Sequence, residues 1–127
     1  MNGKPIKIPG PDHPITITPT AGRVTVAANG KRVVDTRDAL TLKEAGYPPV
    51  QYIPRRDVDM TQLQRSLHQT YCPYKGECTY YNVPAAGERS ANAVWTYEAP
   101  YAAVSAIREY LAFYRDRVDA IEVGVED

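Results

Sequence analysis

Apolar and polar residues alternate through the first half of the chain. Ile15 to Thr18 and Arg23 to Ala28 are rich in β-branched residues with polar neighbours, the pattern of half-buried strands. Asn29-Gly30, between Ala28 and Lys31, is a favoured two-residue hairpin turn, so Arg23 to Thr36 is expected to be a hairpin. With Ala28 opposite Lys31, Val26 should face Val33, which puts Val24, Val26 and Val33 on the core side. Ala39 to Lys43 and Val50 to Ile53 read as further strands, separated by the Gly46 to Pro49 breaker and stopped by Pro54.

Asp57 and Asp59 can cap a short helical turn through Gln64. Ser66 to Cys72 and Glu77 to Val83 have strand composition around the turn Pro73-Tyr74-Lys75-Gly76. Ala85 to Ser90 reads as a polar loop, and Ala93 to Tyr97 as a strand carrying the single tryptophan. After Pro100 the pattern changes: Val104, Ile107, Leu111 and Tyr114 recur at steps of three and four, which predicts one C-terminal amphipathic helix. Arg117 to Val125 returns to strand-like alternation before an acidic end. The expected architecture is a mainly β (α+β) domain, a compact antiparallel sheet structure with that one helix packed on it.

The 127 residues fit a single domain, 1–127, long enough to bury a core of its own. Fifteen basic and fifteen acidic residues leave no net charge, which argues against dependence on nucleic acid or anionic membranes. No apolar run resembles a secretory signal or a membrane span, so a soluble, cytoplasmic protein is expected. In that compartment Cys72 and Cys78 should be reduced thiols; with two histidines and no Cys-x-x-Cys pair they make a poor zinc site, and neither metal nor cofactor is expected. Ten tyrosines against one Phe and one Trp are the compositional oddity, suited to a core, a half-wet pocket or an interface.

His68 to Gly76 is the densest polar segment. On an extended strand His68, Thr70 and Cys72 share a face, yet four residues separate His68 from Cys72 by about 13 Å, too far for a direct dyad. Lys75, folded back by the Pro73 turn, is better placed as charge partner of Cys72, because a nearby ammonium favours a thiolate. The alternative is a Cys72 that is simply a small buried hydrophobe. Cys78, on the next strand, could approach Cys72 as a redox pair. Arg55, Arg56, Asp57 and Asp59 form a charge cluster that either binds an anion or is a solvated ion-pair network. Tyr80 and Tyr81 point to opposite faces of one strand, whereas Trp95 and Tyr97 share a face; with one of those tyrosines they form either three aromatic walls beside Lys75 or Arg55, or an aromatic core cluster. Lys75-Gly76 lacks the rest of a phosphate loop.

The segments Tyr52-Ile-Pro-Arg-Arg-Asp-Val58, Thr70-Tyr-Cys-Pro-Tyr-Lys-Gly76, Tyr80-Tyr81, Asn92-Ala-Val-Trp95 and Leu111-Ala-Phe-Tyr-Arg-Asp-Arg-Val118 resemble domain-of-unknown-function family 427, from near His13 to the last strand. The resemblance implies a β-tent fold related to methionine-R-sulfoxide reductases, in a version without the paired Cys-x-x-Cys zinc knuckles. The family is also called nucleotidyltransferase-like, but this chain has no paired catalytic carboxylates in a Gly-Ser motif for that chemistry. Cys78 stands where relatives carry Ala, so the resemblance implicates Cys72 and Lys75 rather than a shared cysteine pair.

Two functional readings follow. In the first, a small-molecule pocket is lined by Arg55, Thr70, Tyr80, Tyr81, Trp95 and Tyr97; if it is enzymatic, Cys72 is nucleophile or redox centre, Lys75 its charge partner, and Asp57 or His68 the proton carrier. In the second, the chain is a non-catalytic interaction module or homodimer with a Tyr-rich interface.

Overall fold

The computed structural model describes residues 4–125. Met1 to Gly3 and the acidic end at Glu126 and Asp127, which the single-domain expectation includes, lie outside the described residues. Ten strands follow in order: β1 (Ile15–Pro19), β2 (Arg23–Ala28), β3 (Lys31–Thr36), β4 (Leu40–Glu44), β5 (Val50–Tyr52), β6 (Gln64–Cys72), β7 (Gly76–Asn82), β8 (Val94–Thr96), β9 (Leu111–Phe113) and β10 (Ala120–Val125). They form three antiparallel sheets, ordered β1-β4-β5, β10-β2-β3 and β6-β7-β8-β9. The first and third sheets are joined where Ile53 and Leu111 exchange backbone hydrogen bonds of 2.8 Å in both directions.

The β2–β3 hairpin forms on Asn29 and Gly30, whose φ angles of 49° and 74° are the left-handed pair that a type I′ turn requires. Ala28 faces Lys31 as expected, but a bulge at the next step pairs Val26 with Val34 instead of Val33. The extra residue breaks the alternation, so Val33 and Val34 are both buried with Val24 and Val26. Each buried valine contributes about 1.5 kcal/mol through removal of its surface from water. The Asp59 cap also forms, its carboxylate accepting from Thr61 N at 3.2 Å over a short 3-10 turn, Met60–Gln62.

The C-terminal amphipathic helix does not form. Ala102–Ile107 is 3-10 turn, broken at Val104 (φ −125°, ψ 26°), and Glu109 turns left-handed at φ 62°. Leu111, Ala112 and Phe113 then enter the sheet as β9, between β8 and the end of β5. The spacing of Val104, Ile107 and Leu111 was right about burial, since all three are fully enclosed, and wrong about its cause. Hydrogen bonds to two strands distant in sequence outweigh a helical preference worth only tenths of a kcal/mol per residue. Among the described residues every helical segment is 3-10, and none is long and apolar enough to cross a membrane.

Two apolar clusters result. One gathers the valines of β2 and β3 with Val83, Val94 and Phe113; the other gathers Leu42, Tyr52, Cys78, Tyr80, Tyr97, Val104 and Ile107. The second opens into a cavity between the sheets.

Candidate functional site

The turn between β6 and β7 directs Lys75 inward. Lys75 N donates to Cys72 O at 3.2 Å, Tyr101 N donates to Lys75 O at 3.0 Å, and Gly76 adopts φ 112° with the chain at Ala99 packed against it. Held this way, the Lys75 side chain is only 8% exposed. A buried ammonium needs a counter-charge. Glu44, at the end of β4, supplies it by accepting a hydrogen bond from Lys75 Nζ on Oε1. On Oε2 it accepts from His13 Nε2 at 2.7 Å. The register of β1 against β4 sets Ile15 opposite Glu44 and so brings His13 within reach, while Tyr74 stacks on the His13 ring at 4.1 Å and an interplanar angle of 4°.

The Cys72 sulfur lies 3.7 Å from Lys75 Nζ. Thus His13, Glu44, Lys75 and Cys72 form one chain of polar contacts from a partly exposed imidazole to a thiol at the cavity wall. Burial alone would raise the Glu44 carboxyl, but hydrogen bonds from Lys75 and His13 outweigh it and hold the group below the usual carboxylate range. Cys78 is also a free thiol, 1% exposed, and burial pushes it up. It faces Thr70 across the β6–β7 ladder, whereas Cys72 faces Gly76.

The cavity measures about 680 Å³, within the range of about 300–1,000 Å³ for small-molecule sites. Cys72, Lys75 and Glu44 line one side; Tyr52, Tyr80, Trp95, Tyr97 and Tyr114 supply aromatic walls, and Tyr47 and Arg115 stand at its exposed parts. Trp95 Nε1 donates to the Tyr52 hydroxyl at 3.1 Å, and the two rings meet edge to face at 6.3 Å and 88°. Burial raises the hydroxyls of Tyr52, Tyr80 and Tyr97 well above the ordinary phenol value. All three therefore stay protonated through the physiological range.

Of the residues singled out in the sequence, the structure brings Cys72, Lys75, Tyr80, Trp95 and Tyr97 together. The other five lie elsewhere. His68 is exposed where the β6–β7 register slips, its ring tilted on Tyr80 at 4.6 Å, and it does not line the cavity. Thr70, opposite Cys78 and on the face it shares with Cys72, is exposed; its hydroxyl bonds that of Tyr80 at 2.9 Å, and it does not line the cavity. Asp57 accepts from Thr36 at 2.7 Å beside β3, far along the fold from Cys72. Arg55 sits over the Tyr81 ring with Glu109 3.8 Å from its Nε, which makes it and Tyr81 packing partners outside the cavity. Arg56 pairs with Asp38 at 2.8 Å in solvent, so this charge cluster is largely a surface network.

Sequence reasoning missed His13, Glu44, Tyr52 and Tyr114. Tyr52 and Tyr114 were within segments already singled out, and Tyr52 directly precedes the Ile53 that clamps β9. Glu44 and His13 gave no local signal, because their meaning comes from a pairing across thirty-one residues. Among the described residues no group of three or more His, Cys, Asp or Glu is arranged to hold a metal ion.

None of the curated proteins compared with the chain matches it. A family model does: the one described as domain of unknown function DUF427 matches residues 16–124, a span that carries Glu44, Tyr52, Cys72, Lys75 and Trp95 and excludes His13, and the chain belongs to that family.

Proposed function

We propose that the protein binds a small, flat organic molecule in the cavity between its sheets. The observation that carries this reading is the cavity's composition: aromatic faces from Tyr52, Trp95, Tyr97 and Tyr114 surround a single buried ion pair, Lys75 with Glu44. Aromatic walls favour stacking on a planar body, and a few fixed polar groups orient it. The carboxylate and carboxamide groups at the site already have partners within the chain. Glu44 uses both carboxylate oxygens, and the Gln51 carboxamide is taken up by Thr20 at 2.6 Å and Thr41 at 3.0 Å. The Lys75 ammonium has an N–H beyond those given to Glu44 and Cys72, so the favoured ligand carries a carbonyl or a similar acceptor on an aromatic frame.

The non-catalytic interaction module, or homodimer with a Tyr-rich interface, has less to draw on. Tyr52, Tyr80, Tyr81 and Tyr97 are buried within their own chain, while Tyr47 at 63% is strongly exposed.

Trp95 is the only tryptophan, so its fluorescence reports directly on the cavity. A library of planar aromatic ketones and amides is expected to contain members that change this emission saturably and raise the melting temperature, with both effects reduced in Tyr97→Ala and the melting-temperature rise reduced in Trp95→Leu. Hits that bind equally well to those variants would place the binding elsewhere and remove this reading. Light scattering across micromolar concentrations tests the alternative.

A further inference from the structure

We infer that Cys72 adds reversibly to conjugated carbonyl compounds held in this cavity, with Lys75 as its proton carrier and Glu44 and His13 connecting that proton to the surface. This rests on the small-molecule reading above and specifies the ligand as an aromatic α,β-unsaturated ketone or aldehyde.

Three observations converge. The Cys72 sulfur and the Lys75 nitrogen are 3.7 Å apart on the same cavity wall, so one occupant can touch both. The Lys75 ammonium has three N–H bonds; one goes to Glu44 and one to the Cys72 sulfur, leaving a third for a ligand oxygen. Tyr52, which lines the same cavity, accepts from Trp95 on its hydroxyl oxygen and so keeps its own proton to donate. An ammonium donor beside a thiol, with a phenol donor in the same cavity among aromatic faces, matches a carbonyl oxygen conjugated to an electrophilic carbon.

The addition balances within the site. Lys75 first passes one proton to Glu44 and, as the neutral amine, then takes the S–H proton, which leaves its ammonium beside a thiolate. The sulfur electron pair forms the S–C bond at the β carbon, and the C=C pair moves through the system to the carbonyl oxygen as an enolate held by Lys75 and Tyr52. Lys75 then protonates the α carbon and recovers its proton from Glu44. The thiol proton ends on carbon, no atom leaves, and nothing is oxidised or reduced by an outside reagent. His13, 26% exposed and bonded to Glu44, lets the chain exchange protons with water.

The test uses the full chain with chalcone as the electrophile and dihydrochalcone, its saturated counterpart, as the non-reacting probe. Dihydrochalcone is expected to change Trp95 fluorescence saturably, and chalcone to add its mass once, on the peptide containing Cys72, and to be released on dilution. Lys75→Gln should slow the adduct at least about tenfold, in line with loss of a general acid, and by a clearly larger factor than it weakens dihydrochalcone binding. Alkylation of Cys72 by iodoacetamide, which needs the thiolate but leaves no enolate to hold or protonate, should be slowed by a smaller factor than the adduct. Tyr52→Phe removes one hydroxyl with little effect on packing and should slow the adduct too; it carries the test alone should Lys75→Gln fail to fold. Dihydrochalcone binding with no Cys72 adduct, or an adduct rate indifferent to both substitutions, overturns the inference and leaves the pocket reading standing. Absence of dihydrochalcone binding overturns both.

Discussion

Lys75 and Glu44 lie thirty-one residues apart and form an ion pair whose side chains are only 8% and 16% exposed. It ties the end of β4 to the β6–β7 turn and so fixes the distance between two walls of the cavity.

Removing one partner leaves the other charge buried. Lys75→Met or Glu44→Gln is expected to lower stability by about 3 kcal/mol, whereas Lys75→Met combined with Glu44→Leu should cost markedly less than the sum, because no charge is then stranded. Urea unfolding of the single and double variants measures this. Additive losses would mean that the two side chains do not interact in solution.

The same pair sets an acid limit. The folded-state value of Glu44 is depressed below its ordinary 4.5, so the stabilisation is present above that value and is lost as pH falls through the depressed one. Glu98, held down by its hydrogen bonds to Arg65 at 2.9 and 3.0 Å, acts in the same direction but in a solvent-screened setting. Melting temperatures measured from pH 6 to pH 3 should therefore fall below about pH 4.5, and Glu44→Gln should flatten part of that decline.

Alkaline behaviour has the opposite sign. The folded-state values of Tyr52, Tyr80 and Tyr97 are raised by burial above the ordinary 10.0, so these phenols stay neutral while their unfolded counterparts ionise. Stability is complete below pH 10 and is lost as pH rises above it. Loss of solvation, and then the hydrogen bond with Tyr101, push Tyr71 up to about 12. Absorbance titration is expected to show the three cavity phenols ionising only when the protein unfolds. A single phase near pH 10 for all ten would contradict their burial.

The two thiols should differ sharply. Cys78 is 1% exposed, and burial pushes its thiol up, whereas Cys72 is half-buried at the cavity wall. Alkylation of Cys78 is expected to be slower by about a hundredfold at neutral pH, since it requires local opening. Mass spectrometry of the Cys72→Ala and Cys78→Ala variants resolves the two rates.

The Tyr52 hydroxyl anchors Trp95. Tyr52→Phe leaves the indole N–H at 3.1 Å without its acceptor and should cost about 1 kcal/mol while shifting Trp95 emission. Unchanged emission and stability would show that this hydrogen bond is not made in solution.

Much of the β framework could be read locally. Asn29-Gly30 specified the first hairpin through its tolerance of positive φ, and Pro73 to Gly76 specified the second. Along these strands alternation reports which side chains face the core, because burial on one face is a local property of a pleated ribbon. It failed at the Val33–Val34 bulge and at Leu111–Phe113, where burial came from both sides of the chain. A period of three to four cannot separate a helix from a 3-10 turn followed by a central strand, since both bury the same positions.

For the site, the sequence by itself determined the chemical inventory of one wall: the Cys72–Lys75 turn, and the shared face of Trp95 and Tyr97. Steps along one strand and one tight turn are governed by covalent geometry, so those relationships hold wherever the strands are placed. Only the tertiary structure decided which groups complete them. It set Glu44 against Lys75 and His13 against Glu44, bonded Trp95 to the Tyr52 hydroxyl, and left His68, Thr70, Asp57, Arg55 and Tyr81 out of the cavity lining. Those outcomes depend on strand order and register between segments tens of residues apart, which are settled by the joint burial of two apolar clusters and by the need of a buried ammonium for a counter-charge.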